Sequence, residues 1–408
     1  MTQRYSRRSF GKVVGTIAAG SLCPVRAFGD DAPSPQAMRL AAAIDVFGDA
    51  LFRTLADGRR TLLLSPYNIA DVLALLALGS GGTTRAALEG ALHLKDHALT
   101  AQDGAIAARD LGRWLTSGNS VDLEIAAALW AAKGIALRPA FVTAAAQYFG
   151  ASVRNADFAS SAALLDINRW VGDKTHGKIT QLFSQLSPQS RVVLVGALYV
   201  KGRWLDPFDA GATAPAPFTR PDGGKIAVPM MHRSTRMRYL GSDDLQAVAL
   251  PFADPRFDVV IALPYAGKER AVADALRGGW NATLDDSRFA TLEGNLALPR
   301  MKLAWSGELT GPLKAIGFAQ AFAANADLRN LSPVPLHVDT VVHKTTFELD
   351  EQGVVASAAT GVGMEMAMRR EEPPFEMTVD HPYYLLLRES QTGVALFAGF
   401  VADPGTGA

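Results

Sequence analysis

The residues that could form a catalytic or metal site are few, and their spacing suits no known arrangement. Ser9 and Lys12 form a serine–x–x–lysine pattern, but it lies in the N-terminal segment. His93 and His97 could share one face of a helix, yet no third ligand lies near them in the sequence. The G-x-S-x-G, H-E-x-x-H and phosphate-loop patterns are absent from the chain. The sequence therefore predicts no enzyme and no metal or cofactor.

A different chemistry is indicated by residues 351–368, which read EQGVVASAATGVGMEMAM. Residues 354–364 carry no charge, and the whole stretch contains no proline, so every backbone N–H could join a β-ladder. In an extended chain, residues two apart share a face. One face would then be uncharged throughout, with Val354, Ala356, Ala358, Thr360, Val362, Met364 and Met366. The pattern favours a strand that could slide between existing strands; the alternative is a flexible Ala/Gly linker.

The elements that would position this stretch form a mixed α+β pattern. Helical periodicity dominates to about residue 120, and Ser65-Pro66 begins an alanine- and leucine-rich helix that stops at glycines. LEIAAALWAA and ALYVKGRW predict strands, with helical ALLDINRWVGDKTHGKI between them. From about residue 225 strands dominate, including LEGNLALPRMKL and VVHKTTFELDEQ. With no repeat and no internal linker, residues 39–405 are predicted to form one domain.

Composition and charge exclude several classes of partner. The 408 residues are 49% hydrophobic and carry 40 basic and 40 acidic side chains, without a dense basic run beyond the N-terminus. Nucleic acid and membrane surfaces are therefore not expected as partners. No stretch of the sequence is long and apolar enough to predict a permanent membrane span.

The N-terminal segment has the features of an export signal. Arg7 and Arg8 precede a short, weakly apolar run, and small residues around Ala27 suit cleavage there, so residues 1–27 are predicted to be a twin-arginine signal peptide and residues 28–38 a linker. The alternative to an export signal is a basic disordered tail. Lipid attachment at Cys23, the one cysteine, is a further one, although the bulky Leu22 before it argues against that. The mature chain is expected to be periplasmic or extracellular and to lack cysteine.

Several blocks together resemble the serpins, the serine-protease-inhibitor superfamily. The blocks are SPYNIADVLALLALGSGGTTRAALEGAL, INRWVGDKTHGKITQLF with VVLVGALYVKGRWLDPFD, VPMMHR, and HKTTFELDEQGVVASAAT with HPYYLLLRESQTGVALFAGFVADP. They run in order through nearly the whole mature chain. The resemblance, to an exported bacterial member, implies a fold of three β-sheets and eight or nine helices with an exposed reactive-centre loop at about residues 351–375.

The resemblance also assigns roles to residues at the hinge of that loop and at the opening of the main sheet. Gly353 would be the hinge glycine, and Val354 departs from the Thr or Ser usual after it. Ala356, Ser357, Ala358, Ala359 and Thr360 would be the small residues that insert. Glu351 would pair with Arg300, and Trp204 would lie under the opening.

A polar cluster beneath the centre of the main sheet is implied in the same way. His343 and Ser65 fit the pattern of the family. Asn68 stands where a second serine is usual, and Gly196 stands where an asparagine is usual. Our hypothesis is that the Asn68 side chain reaches His343 and restores the missing hydrogen bond from the opposite side.

The function implied is that of a suicide substrate, in which a serine protease cleaves the loop and is trapped as the loop inserts. Family spacing from Glu351 places the reactive bond between Ala367 and Met368, which favours an elastase-like or subtilisin-like target. Met366 precedes it, and Arg369 and Arg370 would suit a trypsin-like protease in a shifted register. A monomer is expected. The alternative is a non-inhibitory serpin that acts as a binding or chaperone-like protein.

Overall fold

The computed structural model describes residues 32–118, 120–354 and 374–405. The chain divides into two units, Met1–Ala32 and Pro33–Ala408, and the elements given below belong to the second. In the described residues the α-helices are α1 (Pro35–Leu55), α2 (Pro66–Gly79), α3 (Gly82–Ala91), α4 (Ala101–Leu115), α5 (Pro139–Phe149), α6 (Ser161–Lys174), α7 (Glu269–Leu276), α8 (Trp280–Thr283) and α9 (Thr310–Leu313).

The strands are β1 (Leu62–Leu64), β2 (Val121–Ala132), β3 (Ser152–Ala156), β4 (Val192–Arg203), β5 (Ala214–Thr219), β6 (Lys225–Gly241), β7 (Leu245–Pro251), β8 (Phe257–Pro264), β9 (Ala290–Pro299), β10 (Met301–Glu308), β11 (Thr340–Asp350), β12 (Gly353–Val354), β13 (Phe375–Thr378), β14 (Tyr383–Glu389) and β15 (Ala395–Val401). This arrangement of helices and mixed sheets has the predicted α+β character.

One sheet of six strands lies between two apolar layers. Its order is β10-β11-β12-β4-β2-β3. On one face, Ile167 and Trp170 of α6 pack against alternate residues of β2 and β4. The other face contributes Leu194, Leu198 and Val200 to the main core, which also contains α1 and α2. The side chains that alternate along β2 and β4 thus make both faces of this part of the sheet apolar, as a covered sheet requires.

The remaining nine strands are joined by the long strand β6. Its first part pairs with β5 and its last part with β7, while β9 pairs along most of its length. The resemblance implies three sheets, and the structure has the strands of two of them in one continuous hydrogen-bonded sheet, because β6 pairs with strands of both.

Two predicted boundaries are wrong. The segment 28–38 is not all linker, because α1 begins at Pro35, where the Ser34 side chain accepts a hydrogen bond from the Ala37 N–H and caps the helix. LEGNLALPRMKL is not one strand either: the chain changes sheets at Arg300, between β9 and β10. No helix in the described ranges is long and apolar enough to cross a membrane.

Candidate functional site

A tight turn connects β11 to the two-residue strand β12. The Asp350 carboxylate accepts hydrogen bonds from the backbone N–H groups of Gln352 (2.9 Å) and Gly353 (3.2 Å). Trp204 binds the same turn twice: its indole N–H donates to the Asp350 carbonyl (3.0 Å) and its backbone N–H to the Gln352 carbonyl (2.9 Å). Trp204 therefore holds the turn where the chain enters the six-stranded sheet.

Only glycine fits at position 353. Its φ is +145°, and a Cβ there would lie 2.1 Å from the Gly202 carbonyl oxygen and 2.8 Å from the Arg203 Cα. Both obstacles are backbone atoms of β4, so neither can move aside without disturbing the sheet. The predicted hinge glycine is thus needed for close approach of two strands as well as for its backbone freedom.

Val354 already lies inside the sheet. It pairs with Leu349 of β11 on one side and with Gly202 of β4 on the other, both antiparallel. Its side chain is 1% exposed and belongs to the main core. The apolar valine at this position, which departs from the Thr or Ser of the family pattern, is therefore compatible with insertion of the first residue after the hinge.

Glu351 is anchored at the same edge of the sheet. Its carboxylate accepts hydrogen bonds from the Arg300 guanidinium (2.5 Å) and the Thr213 hydroxyl (2.6 Å). Burial alone would raise the pKa of Glu351, but the hydrogen bonds from Arg300 and Thr213 outweigh it, and the pKa is lowered. The geometry thus brings together the pair implied by resemblance and adds Thr213, which no sequence signal indicated.

The polar cluster beneath the sheet is present with a different connectivity. The His343 Nε2 accepts a hydrogen bond from the Ser65 backbone N–H (3.0 Å), and the Ser65 hydroxyl accepts one from the Asn68 N–H (3.3 Å). Ser65 caps α2, so the cluster ties the start of that helix to β11. Burial lowers the pKa of His343 to about 3, and the imidazole is neutral.

The hypothesis of a direct Asn68–His343 hydrogen bond is wrong for this structure. The Asn68 amide instead donates to the carbonyl oxygens of Ala197 (3.3 Å) and Ala126 (3.5 Å) on β4 and β2. The reason is the space above Gly196: a Cβ on that residue would lie 2.3 Å from the Asn68 Oδ1. The Asn68 amide fills the volume that a side chain on Gly196 would need, and it points toward the sheet backbone.

Between the two ends of the site, β4 and β11 are paired over a short length only. Their parallel register has Thr340 opposite Val193 and Val341 opposite Leu194, and β12 separates them at the other end. Within the described ranges, residues 342–348 and 195–201 have no registered pair with each other. This part of the sheet is the place where a further strand could be added between β4 and β11.

The segment between α6 and β4 lies against β11 at this position. The Lys178 ammonium pairs with the Glu348 carboxylate (2.7 Å), and the Lys344 ammonium donates to the Gln181 carbonyl (2.8 Å). A strand that inserted between β4 and β11 would therefore lie next to these two contacts.

Comparison with known proteins identifies the family. The model of the family described as Serpin (serine protease inhibitor) matches residues 42–404. The chain belongs to the serpin family. An uncharacterized serpin-like protein of Thermococcus kodakarensis is 31% identical over 90% of this chain and 86% of its own length. The leukocyte elastase inhibitor of Sus scrofa is 30% identical over 90% of this chain and all of its own.

Solved structures agree with the fold. Serpin48 of the insect Tenebrio molitor, described as a highly specific serpin, matches with a TM-score of 0.80 and 25% identity over 90% of this chain and 98% of that one. The serpin fold expected from the sequence is confirmed.

Residues 355–373 of the predicted reactive loop of this serpin lie outside the described residues. This applies to the insertion residues Ala356, Ser357, Ala358, Ala359 and Thr360, to the reactive pair Ala367 and Met368, and to Met366, Arg369 and Arg370. The described part of the site therefore consists of the hinge, the turn that holds it, the polar cluster and the strands on both sides of the gap.

Proposed function

We propose that this serpin inhibits a serine protease as a suicide substrate. The observation that carries the proposal is the position of β12, since Gly353 and Val354 are paired with β11 on one side and β4 on the other. They are the first two residues of the strand that insertion would complete.

The register of β12 determines which residues of β11 and β4 would lie opposite each later residue of the inserted strand. If antiparallel pairing continues, Ala356 would lie between Phe347 and Val200, and Thr360 between His343 and Gly196. Phe347 and Val200 belong to the main core. The uncharged face of the loop would thus meet apolar or satisfied polar groups, and about ten new residues in the ladder would release on the order of 10 kcal/mol.

The reaction needs no nucleophile in this serpin. The serine Oγ of the target would attack the Ala367 carbonyl carbon, an ester to the protease would form, and the Ala367–Met368 peptide bond would break, with the new Met368 amine taking a proton. Insertion of the freed loop would then carry the esterified protease along and distort its active site before water hydrolyses the ester. Ala367, after Met366, suits an elastase-like or subtilisin-like target, and Arg369 or Arg370 a trypsin-like one.

Export through a twin-arginine signal and action as a periplasmic or extracellular monomer belong to the same proposal. They are supported by Arg7 and Arg8 before a short apolar run in the sequence.

The test is a covalent complex. The mature protein is mixed with elastase-, subtilisin- and trypsin-like proteases, and a complex that survives boiling in detergent is sought, with the cleaved bond mapped by mass spectrometry. A complex cleaved at Ala367–Met368 supports the proposal. Cleavage by every protease without any complex would instead favour the non-inhibitory alternative.

Two variants sharpen this test. Ala356→Arg would place a charge toward the core beside Phe347 and should turn the inhibitor into a substrate. Val355→Arg is the matched control, because the same register would put it on the opposite face, beside Glu348, where inhibition should persist. Equal inhibition by both variants would contradict insertion in this register.

A further inference from the structure

An open cavity of about 390 Å³ lies between α2, α4, β2 and α5, away from the hinge. Its apolar lining includes Leu123 and Ile125 of β2 and Phe149 of α5. Tyr67 and Asp71 of α2 provide polar groups in the same lining, one helical turn apart on one face. The volume is within the range of sites that bind small organic molecules.

Asp71 is a buried carboxyl without a hydrogen-bond donor. The residue is 5% exposed, and in the described part of the chain it makes no hydrogen bond and no ion pair. Burying an ionised carboxylate without a donor is unfavourable, and desolvation raises the pKa of Asp71 to about 7. Near neutral pH the cavity thus contains an acceptor that protein groups leave unsatisfied.

The other charged groups that line the cavity do not satisfy Asp71. Arg109 is held by Asp110 through hydrogen bonds of 2.8 and 3.0 Å. Glu124 is paired with Lys174 at 2.6 Å, and Arg113 is solvent-exposed.

Two tyrosines complete the set of titratable groups. Tyr148 lies under the Arg109 guanidinium, 5.9 Å from its ring centroid. Burial and the nearby Asp71 raise the pKa of Tyr67 well above its usual value, so its hydroxyl stays neutral. Asp71 is therefore a group in this cavity whose charge changes near neutral pH.

We propose that this cavity binds a small organic cation, with the ammonium group of the ligand beside Asp71 and its apolar body against Leu123, Ile125 and Phe149. A cation would supply the charge and the hydrogen-bond donors that the carboxylate lacks. An anion would be repelled by Asp71, and a neutral ligand would bring no positive charge to pair with the carboxylate.

The probe is 2-phenylethylamine, a protonated amine on an aromatic body, and binding to the mature protein is measured by isothermal titration calorimetry. The neutral analogue 2-phenylethanol should bind at least tenfold more weakly. Asp71→Asn should weaken amine binding at least tenfold, and its circular dichroism shows whether it is folded. Glu124→Gln is the matched control, because it removes a lining carboxylate that is already paired, and it should bind as the parent does.

The pH dependence gives a second readout. Because the deprotonated fraction of Asp71 rises from about a tenth at pH 6 to about nine tenths at pH 8, the amine should bind about tenfold more tightly at pH 8. Carboxyl resonances in NMR should show the pKa of Asp71 falling as the amine is added. No amine binding at 10 mM, equal binding by Asp71→Asn, or loss of binding in Glu124→Gln alone would overturn the proposal.

Discussion

Replacing Gly196 by alanine should destabilise the protein chiefly through a clash with the Asn68 side chain. The new Cβ would lie 2.3 Å from the Asn68 Oδ1 and 2.9 Å from both the Asn68 Cγ and the Val72 Cγ2. The Asn68 side chain cannot swing away freely, because the residue is 1% exposed and its amide is bonded to the carbonyls of Ala197 and Ala126. Overpacking of this kind costs about 1–3 kcal/mol.

A double-mutant cycle separates the free-energy cost of this clash from the effect of placing alanine in a strand. Asn68→Ser removes the amide and its two long hydrogen bonds, at a cost of about 1–2 kcal/mol. In that background most of the clash of Gly196→Ala disappears, and alanine in a strand is itself favoured over glycine by roughly 0.5–1 kcal/mol. The double variant should therefore be no less stable than Asn68→Ser, with a coupling energy of about 2 kcal/mol.

The assay is urea unfolding of the four proteins, followed by tryptophan fluorescence at one fixed equilibration time so that the four transition midpoints are directly comparable. The transition midpoint should fall for Gly196→Ala alone and stay unchanged when it is added to Asn68→Ser. Equal shifts in the two backgrounds would refute the complementarity of Asn68 and Gly196.

Three further predictions concern the hinge, the cluster and the gap. Gly353→Ala should expel β12, since its Cβ would lie 2.1 Å from the Gly202 carbonyl oxygen, and proteolysis of the hinge should become faster. The pKa of His343 is about 3 in the folded protein and 6.5 without burial, so below pH 6.5 the unfolded state takes up a proton that the folded state does not. The contribution of His343 to the free energy of unfolding is therefore complete above pH 6.5 and falls by up to about 5 kcal/mol as pH decreases toward 3. The free energy of unfolding of His343→Asn, measured by urea titration, should depend less on pH. Lys178→Met should remove the ion pair with Glu348 and speed loop insertion after cleavage a few-fold, as measured by stopped-flow fluorescence, whereas an unchanged rate would mean that the contact does not resist insertion.

Much of the fold could be predicted from the sequence because the signals are local. Ser65-Pro66 marks the start of α2, and the structure has Ser65 as its cap and Pro66 in its first turn. The apolar alternation of VVHKTTFELDEQ likewise gave β11, whose buried residues include His343, Thr345 and Phe347. The split at Arg300 does not follow from the pattern of LEGNLALPRMKL, although Pro299, which cannot donate to a β-ladder, is the available signal for a strand end.

The site was less predictable, since its contacts join distant elements. Asn68, Gly196 and Thr213 are far apart in sequence, and only the packing shows that the first fills the space above the second and that the third binds Glu351. Asp71 was not singled out at all. An aspartate in an otherwise apolar helix, PYNIADVLALLALG, was the available signal.

The most direct test of loop insertion is hydrogen–deuterium exchange before and after the loop is cut by a protease that is not trapped. Insertion predicts that the backbone amides of residues 342–348 of β11 and 195–201 of β4 that face the gap become strongly protected, and that the thermal unfolding temperature rises. Unchanged exchange in both strands, with an unchanged unfolding temperature, would contradict insertion and with it the proposed trap.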